Sequence, residues 1–314
     1  MYLKSYKVAF MGTPEFARDI LAELMEYDWL SLELVVTQPD RKVGRKQLIQ
    51  YSAVKQYALD QGLLICQPSR VGDIYEQLKS LQLDAIITCA YGQYIPSKIL
   101  NLTHLGVINI HASLLPKYRG GAPMQYALMK GEEKTGISLM RSSQEMDAGD
   151  VFSQIEIQID AQDNLASLET KLIAASMELL RNDLLDIFNE EIKPRSQDHL
   201  QASFSPTIKR EDEKLDLNRS VKVMYNHIRA LNPEPLVFTR IDQKLVKIKE
   251  ASYSLQTHNY PLGEIVAFDK NGLKIAGKDG FLVVLVLQVE GKKLSEAKAI
   301  FNGYQQWIGQ RCHD

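Results

Sequence analysis

Across the first half of the chain, short apolar runs alternate with helix-forming stretches, and this pattern constrains the fold more than any other feature. Tyr6 to Met11, Leu32 to Val36, Leu63 to Cys66, Ala85 to Cys89, Val107 to Ile110 and Gly136 to Met140 read as strands. Ser52 to Gln61 and Ile74 to Leu81 read as the helices that cover them. Such alternation predicts a doubly wound, mainly parallel α/β sheet. After the first strand, Gly12-Thr13-Pro14 turns into a helix. Thr13 is its expected N-cap and Pro14 its first residue, where a missing N–H does no harm. The turn has no G-x-G-x-x-G pattern, so a dinucleotide is not the expected ligand.

Beyond Gly149 the run FSQIEIQI alternates with a period of two and reads as an antiparallel strand. A long helix follows, with Leu165, Leu168, Leu172, Leu179 and Leu180 on its apolar face and Asp163 as expected N-cap. At 314 residues the chain is long enough for two cores. A first domain is expected over 1–191, a polar, proline-containing linker over 192–207, and a second domain over 208–314. The second domain opens with a helix over Ser220 to Leu231, then short strands at Leu236 to Ile241, Leu245 to Ile248, Gly263 to Phe268, Gly272 to Ala276 and Phe281 to Leu287. Turn signals at Asn271-Gly272 and Asp279-Gly280 favour a small barrel.

The net charge of -2 conceals a split. Residues 1–205 hold 20 Lys and Arg against 26 Asp and Glu, and residues 206–314 hold 17 against 13. A basic small domain suits a polyanionic partner, although an ordinary solvated surface fits as well. The three cysteines, Cys66, Cys89 and Cys312, are widely scattered and point to neither a disulfide frame nor a metal site. The chain has no apolar run of membrane-spanning length and no signal-type core after Met1, so a cytoplasmic protein is expected.

The chemistry concentrates in GVINIHASLLPKYRGGAPMQ, Gly106 to Gln125. Asn109 and His111 lie at i and i+2 of a strand and share one face. They sit at a strand's carboxyl end, where open α/β sheets place ligands. Thirty-odd residues on, MRSSQEMDAGD supplies Asp147 in a tight Asp-Ala-Gly turn. An amide, an imidazole and a carboxylate thus fit one pocket. Taken alone, each has an ordinary alternative as a loop cap or a turn-former.

The string NIHASLLPKYRGGAPMQ followed by MDAGD resembles the signature of the formyltransferases that use 10-formyltetrahydrofolate. MGTPEFA, TQPDRKVGR, AYGQYIP, IRALNPEP and LQVEGKK resemble the branch of that family that acts on methionyl-tRNA, so the likeness covers nearly the whole chain. It implies the formyltransferase fold followed by an oligonucleotide-binding (OB-like) barrel. It implies transfer of a formyl group from 10-formyltetrahydrofolate to initiator Met-tRNA, with no metal, by a chain working as a monomer. Asn109 and a ring N–H of His111 would hold the developing oxyanion. Asp147 would fix the imidazole tautomer and relay a proton, while Gly149 lets backbone approach the pteridine. The folate is expected at Ser113, Leu114, Leu115 and Pro116 and at the loop Ala90, Tyr91 and Gly92. Arg119 and the pair Gly120-Gly121 would orient the loop or the substrate.

For the RNA, Thr37 to Tyr51 is the expected guide loop, with Arg45 matching the family's key arginine and Arg41, Lys42 and Lys46 beside it. Lys292 and Lys293 are expected phosphate contacts on the barrel. Two departures fall on RNA contact rather than on the reaction: Glu234 stands where the family has tryptophan, and Lys46-Gln47-Leu48 replaces Gly-Lys-Lys. A small-amine N-formyltransferase would keep Asn109, His111 and Asp147 but need no basic barrel. A formyltetrahydrofolate hydrolase would deliver the group to water, and an RNA-binding module would leave the three residues unexplained.

Overall fold

The computed structural model describes residues 5–43 and 48–313. Two compact units emerge: the residues up to Pro123 with Thr135–Ile157 and Glu169–Pro206, and Met124–Lys134 with Gln158–Leu168 and the residues from Thr207 on.

The first unit is built on strands β1 (Tyr6–Gly12) and β2 (Leu30–Val36), then a separate hairpin of β3 (Arg41–Val43) and β4 (Leu48–Gln50). Strands β5 (Ile65–Cys66), β6 (Ala85–Cys89), β7 (Val107–His111), β8 (Lys134–Arg141) and β9 (Val151–Gln158) follow. Seven strands form one sheet in the order β5-β2-β1-β6-β7-β8-β9. Pairing is parallel from β5 through β7 and turns antiparallel at β8. β1 lies inside the sheet between β2 and β6, and its run Val8 to Met11 is fully buried. That explains why it is apolar throughout instead of alternating. Val8, Phe10 and Met11 each contribute about 1.5 to 3 kcal/mol through burial. The chain winds outward from β1 to β5 and then returns to lay β6 on the other side of β1. The crevice beyond the carboxyl ends of β1 and β6 is therefore the topological switch point.

Helices α1 (Glu15–Leu24), α2 (Ala53–Asp60), α3 (Tyr75–Ser80), α4 (Ser97–Leu100) and most of α6 (Leu165–Phe188) accompany these strands, while α5 (Pro123–Lys130) falls almost wholly in the second unit. Two expected caps are corrected. Pro14, extended at φ -79°, is itself the N-cap of α1, and the Thr13 hydroxyl donates instead to the Tyr91 carbonyl at 2.9 Å. Asn164, not Asp163, caps α6: its Oδ1 accepts from the Ser167 N–H while the Ser167 hydroxyl oxygen accepts from the Asn164 N–H, both at 3.0 Å. Asp163 instead takes the Ser167 hydroxyl and the Asp160 N–H. The stretch 192–207, read from sequence as a linker, bonds closely to the first unit up to Pro206; Arg195 and Val151 exchange both backbone hydrogen bonds.

The second unit carries helix α7 (Val221–Ala230) and strands β10 (Val237–Ile241), β11 (Lys244–Leu255), β12 (Ile265–Asp269), β13 (Gly272–Ala276), β14 (Gly280–Val289) and β15 (Ser295–Glu296), then α8 (Ala297–Ile300). Its antiparallel sheet runs β10-β11-β14-β13-β12, with β15 on β14. Both outer strands find a partner in the last residues: Arg240 and His313 exchange backbone bonds at 2.9 Å, and Ile265 bonds to Gly309 and Gln310. The last residues thereby bridge both end strands of this antiparallel sheet. Ser220 caps α7 by accepting the Val223 N–H, and Val221, Met224 and Ile228 turn into a core that includes fully buried Trp307.

Candidate active site

The site assembles at the carboxyl ends of β1, β6 and β7. On β7 the neighbours of Asn109 are Thr88 of β6 and Met140 of β8, and His111 faces Ser138 of β8. Val107, Ile108 and Ile110 are buried, which anchors the strand and presents the polar pair at its end. The Asn109 amide is half-buried and makes no hydrogen bond among the described residues. A free donor of this kind, on the strand beside the switch-point pair, is what an oxyanion requires.

His111 is buried, and both ring nitrogens are accounted for. Nε2 lies 3.0 Å from the Tyr118 carbonyl oxygen, and Nδ1 lies 3.7 Å from Oδ2 of Asp147. A carbonyl can only accept, so Nε2 carries the proton and Nδ1 presents its lone pair when the ring is neutral. This corrects the sequence expectation. The Tyr118 carbonyl fixes the tautomer, while Asp147 stands too far off for a direct hydrogen bond and close enough to stabilise an imidazolium.

Asp147 has φ +50°, and its Oδ2 accepts the Gly120 N–H at 2.7 Å. Gly120 is required there: its φ is +121°, and a Cβ would stand 2.7 Å from the Ser205 carbonyl oxygen. Gly149 likewise has its own structural reason. A Cβ on it would run into the Arg141 carbonyl oxygen, so the closing of the loop on β8 requires its smallness.

The segment Ser113 to Pro116 is fastened from below. Leu115 donates its N–H to the Ser138 hydroxyl, Gln154 donates to the Leu115 carbonyl at 2.9 Å, and the Ser113 hydroxyl donates to the Lys117 carbonyl at 2.6 Å. Leu115 is buried, and Leu114 and Pro116 are half-buried. An open cavity of about 290 Å³ is lined by Leu115, Pro116, Phe152 and Gln154 with Arg195 and Gln197, and by none of Asn109, His111 and Asp147. Ala90 and Gly92 have positive φ and are exposed, while Tyr91 is buried in the core below them. Gln38 donates to the Tyr91 and Gly92 carbonyls at 3.0 and 2.9 Å, which ties this loop to the end of β2. Burial pushes the Tyr91 phenol upward, so it remains neutral and is no base.

Arg119, expected from sequence to orient the loop or the substrate, is only 2 % exposed. Its guanidinium donates twice to Gln197 Oε1 and reaches Nδ1 of His199. Gln197, Ser203 and Ser205 carry no motif, so pattern reading passed over them. They lie in the polar stretch after α6 and hold the site through bonds spanning about fifty to ninety positions in sequence.

Of the residues expected to touch RNA, Arg41 is exposed on β3 and donates to Gln38; the Lys42 side chain, Arg45 and Lys46 lie outside the described residues. Lys292 and Lys293 are exposed in the second unit between β14 and β15.

The family model described as formyl transferase matches residues 6–184, and that described as formyl transferase, C-terminal domain, matches 207–305. A methionyl-tRNA formyltransferase from Mesoplasma florum is 40% identical over 297 residues, 95% of each chain. One from Streptococcus pneumoniae is 41% identical over 312 residues, 98% of this chain and 99% of the relative. Among solved structures, HypX from Aquifex aeolicus in complex with tetrahydrofolic acid superposes with a TM-score of 0.65 at 17% identity, covering 97% of this chain and 48% of that one. An N-formyltransferase from Helicobacter canadensis gives 0.66 at 19% identity, covering 89% and 98%. At such identities these two speak for the fold alone.

Proposed function

The chain belongs to the methionyl-tRNA formyltransferase family, and on that premise we propose that it transfers a formyl group from 10-formyltetrahydrofolate to the α-amino group of methionine on initiator Met-tRNA, for translation initiation. The observation that carries the reading is the placement of an Asn109 amide, unpartnered among the described residues, on the same strand as a His111 ring whose Nδ1 faces Asp147. This donor and base set fits the carbonyl of a formylated folate. The co-substrate supplies an activated formyl carbon. Asn109 donates to the formyl oxygen as negative charge develops there, a contact whose loss costs about 2.7 to 4 kcal/mol in comparable sites. His111 Nδ1 takes the proton released by the attacking amine, because Nε2 is already committed to Tyr118. Asp147 then stabilises the imidazolium, which returns the proton to N10 as the C–N10 bond breaks and tetrahydrofolate leaves.

Ser113 to Pro116 and Ala90 to Gly92 form the folate contacts in this reading, supported by their position beside β7 and β6. Arg41, Lys42, Arg45 and Lys46 on the loop 37–51, with Lys292 and Lys293, are the proposed phosphate contacts, supported by their charge. Monomeric, cytoplasmic action is part of the same proposal; no described helix is long and apolar enough to cross a membrane. Radiolabelled formyl transfer, offered in parallel to initiator Met-tRNA, elongator Met-tRNA and a sugar amine, tests the assignment. The initiator is the expected acceptor. Preference for the sugar amine would move the chain to another branch of the family.

A further inference from the structure

A strap of backbone after α6 touches both halves of the His111–Asp147 pair. Its residues 203 and 205 grip Tyr118: the Tyr118 N–H donates to the Ser203 hydroxyl at 2.9 Å, and the Ser205 hydroxyl donates to the Tyr118 carbonyl at 3.0 Å. That carbonyl is the one that receives His111 Nε2. Upstream, Gln197 is 8 % exposed, and its amide donates to the carbonyls of Asp147 and Gly149 at 2.8 and 2.7 Å. Its oxygen accepts from Nε and Nη2 of Arg119 at 3.1 and 2.8 Å. Arg119 and Gly120 are sequence neighbours, and Gly120 holds the Asp147 carboxylate by its N–H. Every polar atom of the Gln197 side chain is thus used to join the Asp147 turn to the Tyr118–Gly120 turn.

Resting on the functional reading above, we infer that Gln197 is a positioning residue, clamped by Arg119, which sets the separation of His111 Nδ1 and the Asp147 carboxylate. A glutamine fits where a carboxylate does not. The two carbonyls need a donor and the guanidinium needs an acceptor, and only the amide offers both at one terminus. The pair it spaces is open to adjustment, since 3.7 Å leaves no direct bond to lock it. Misplacement of catalytic groups by about 1 Å costs on the order of 100-fold in rate.

The test is a double-mutant cycle on the full chain. Gln197→Glu keeps the acceptor for Arg119 but turns the donors toward Asp147 and Gly149 into a repelling oxygen. Gln197→Met, close in volume, removes every bond and serves if the glutamate variant does not fold. Each is measured alone and on an Asp147→Asn background by single-turnover formyl transfer to initiator Met-tRNA, with the KM for tRNA and thermal unfolding followed alongside. Acting through Asp147, the Gln197 change lowers the rate about 10- to 100-fold in the otherwise native chain. On the Asp147→Asn background it lowers the rate less than about threefold, and the KM for tRNA stays near its native value. Equal losses on both backgrounds, or no loss on either, overturn the inference. A native rate in the Asp147→Asn chain itself would instead overturn the underlying site assignment, and that single variant tells the two failures apart.

Discussion

Asn109 and His111 leave β7 two positions apart, yet the protein treats their polar atoms in opposite ways. The amide is left free, whereas the imidazole is pinned at Nε2 and aimed through Nδ1. Asn109→Asp, nearly isosteric, replaces a donor with a negative acceptor beside a developing oxyanion. It should therefore slow transfer more than Asn109→Ala, whose loss is about 100- to 1,000-fold in kcat. Equal rates in steady-state assays of the two variants would show that Asn109 does not face the reacting oxygen. Gly120→Ala should act on fold and rate together, because φ +121° and the Ser205 carbonyl leave a methyl no room and the N–H to Asp147 must shift. Thermal unfolding and kcat, measured on one preparation, should both fall; a native rate at native stability would remove Gly120 from the site.

At the scale of elements, what the sequence made legible followed periodicity. Strands β1, β6 and β7 are apolar because both their faces are covered, so their runs and the polar pair ending β7 stood out. The strap from Arg195 to Ser205 did not stand out, since its bonds join side chains to distant carbonyls and impose no repeat. The β10–β11 hairpin carries no turn signal of its own either: it turns on Asp242-Gln243, both at positive φ, without the glycine that normally marks such a turn. Caps were misplaced by one residue where several cap-forming side chains adjoin, as at Asp163 and Asn164. Asn164→Ala should accordingly cost about 1 kcal/mol, read from denaturant unfolding, and Asp163→Ala should not act as a cap deletion. The charged elements make a different prediction. Removing Lys292 and Lys293 together should raise the KM for tRNA and flatten its salt dependence at nearly constant kcat, whereas Arg45→Ala should also lower kcat and blur the preference for initiator over elongator tRNA. Measuring kcat and KM for both tRNAs at two salt concentrations separates them; an Arg45→Ala chain with native kcat and discrimination would free the loop 37–51 from that role.

For the molecule as a whole, stability and chemistry rest on separate charges. Glu23 of α1 is buried, and the Arg181 guanidinium that hydrogen-bonds it from α6 holds its carboxyl below the ordinary 4.5. A depressed folded-state value contributes stability that is present above 4.5 and is lost as pH falls through the folded value. Arg181→Gln should therefore destabilise the protein at neutral pH, with the difference from the native chain shrinking in acid; a difference independent of pH would mean that the pair is not the source. In the proposed reaction His111, poised by Tyr118 and Asp147, carries formyl transfer. Single-turnover transfer from 10-formyltetrahydrofolate to initiator Met-tRNA, compared between the native chain and His111→Ala with folding checked by circular dichroism, tests it most directly. The predicted result is a loss of about 100- to 10,000-fold in a folded protein; a folded His111→Ala chain within about threefold of the native rate would contradict it.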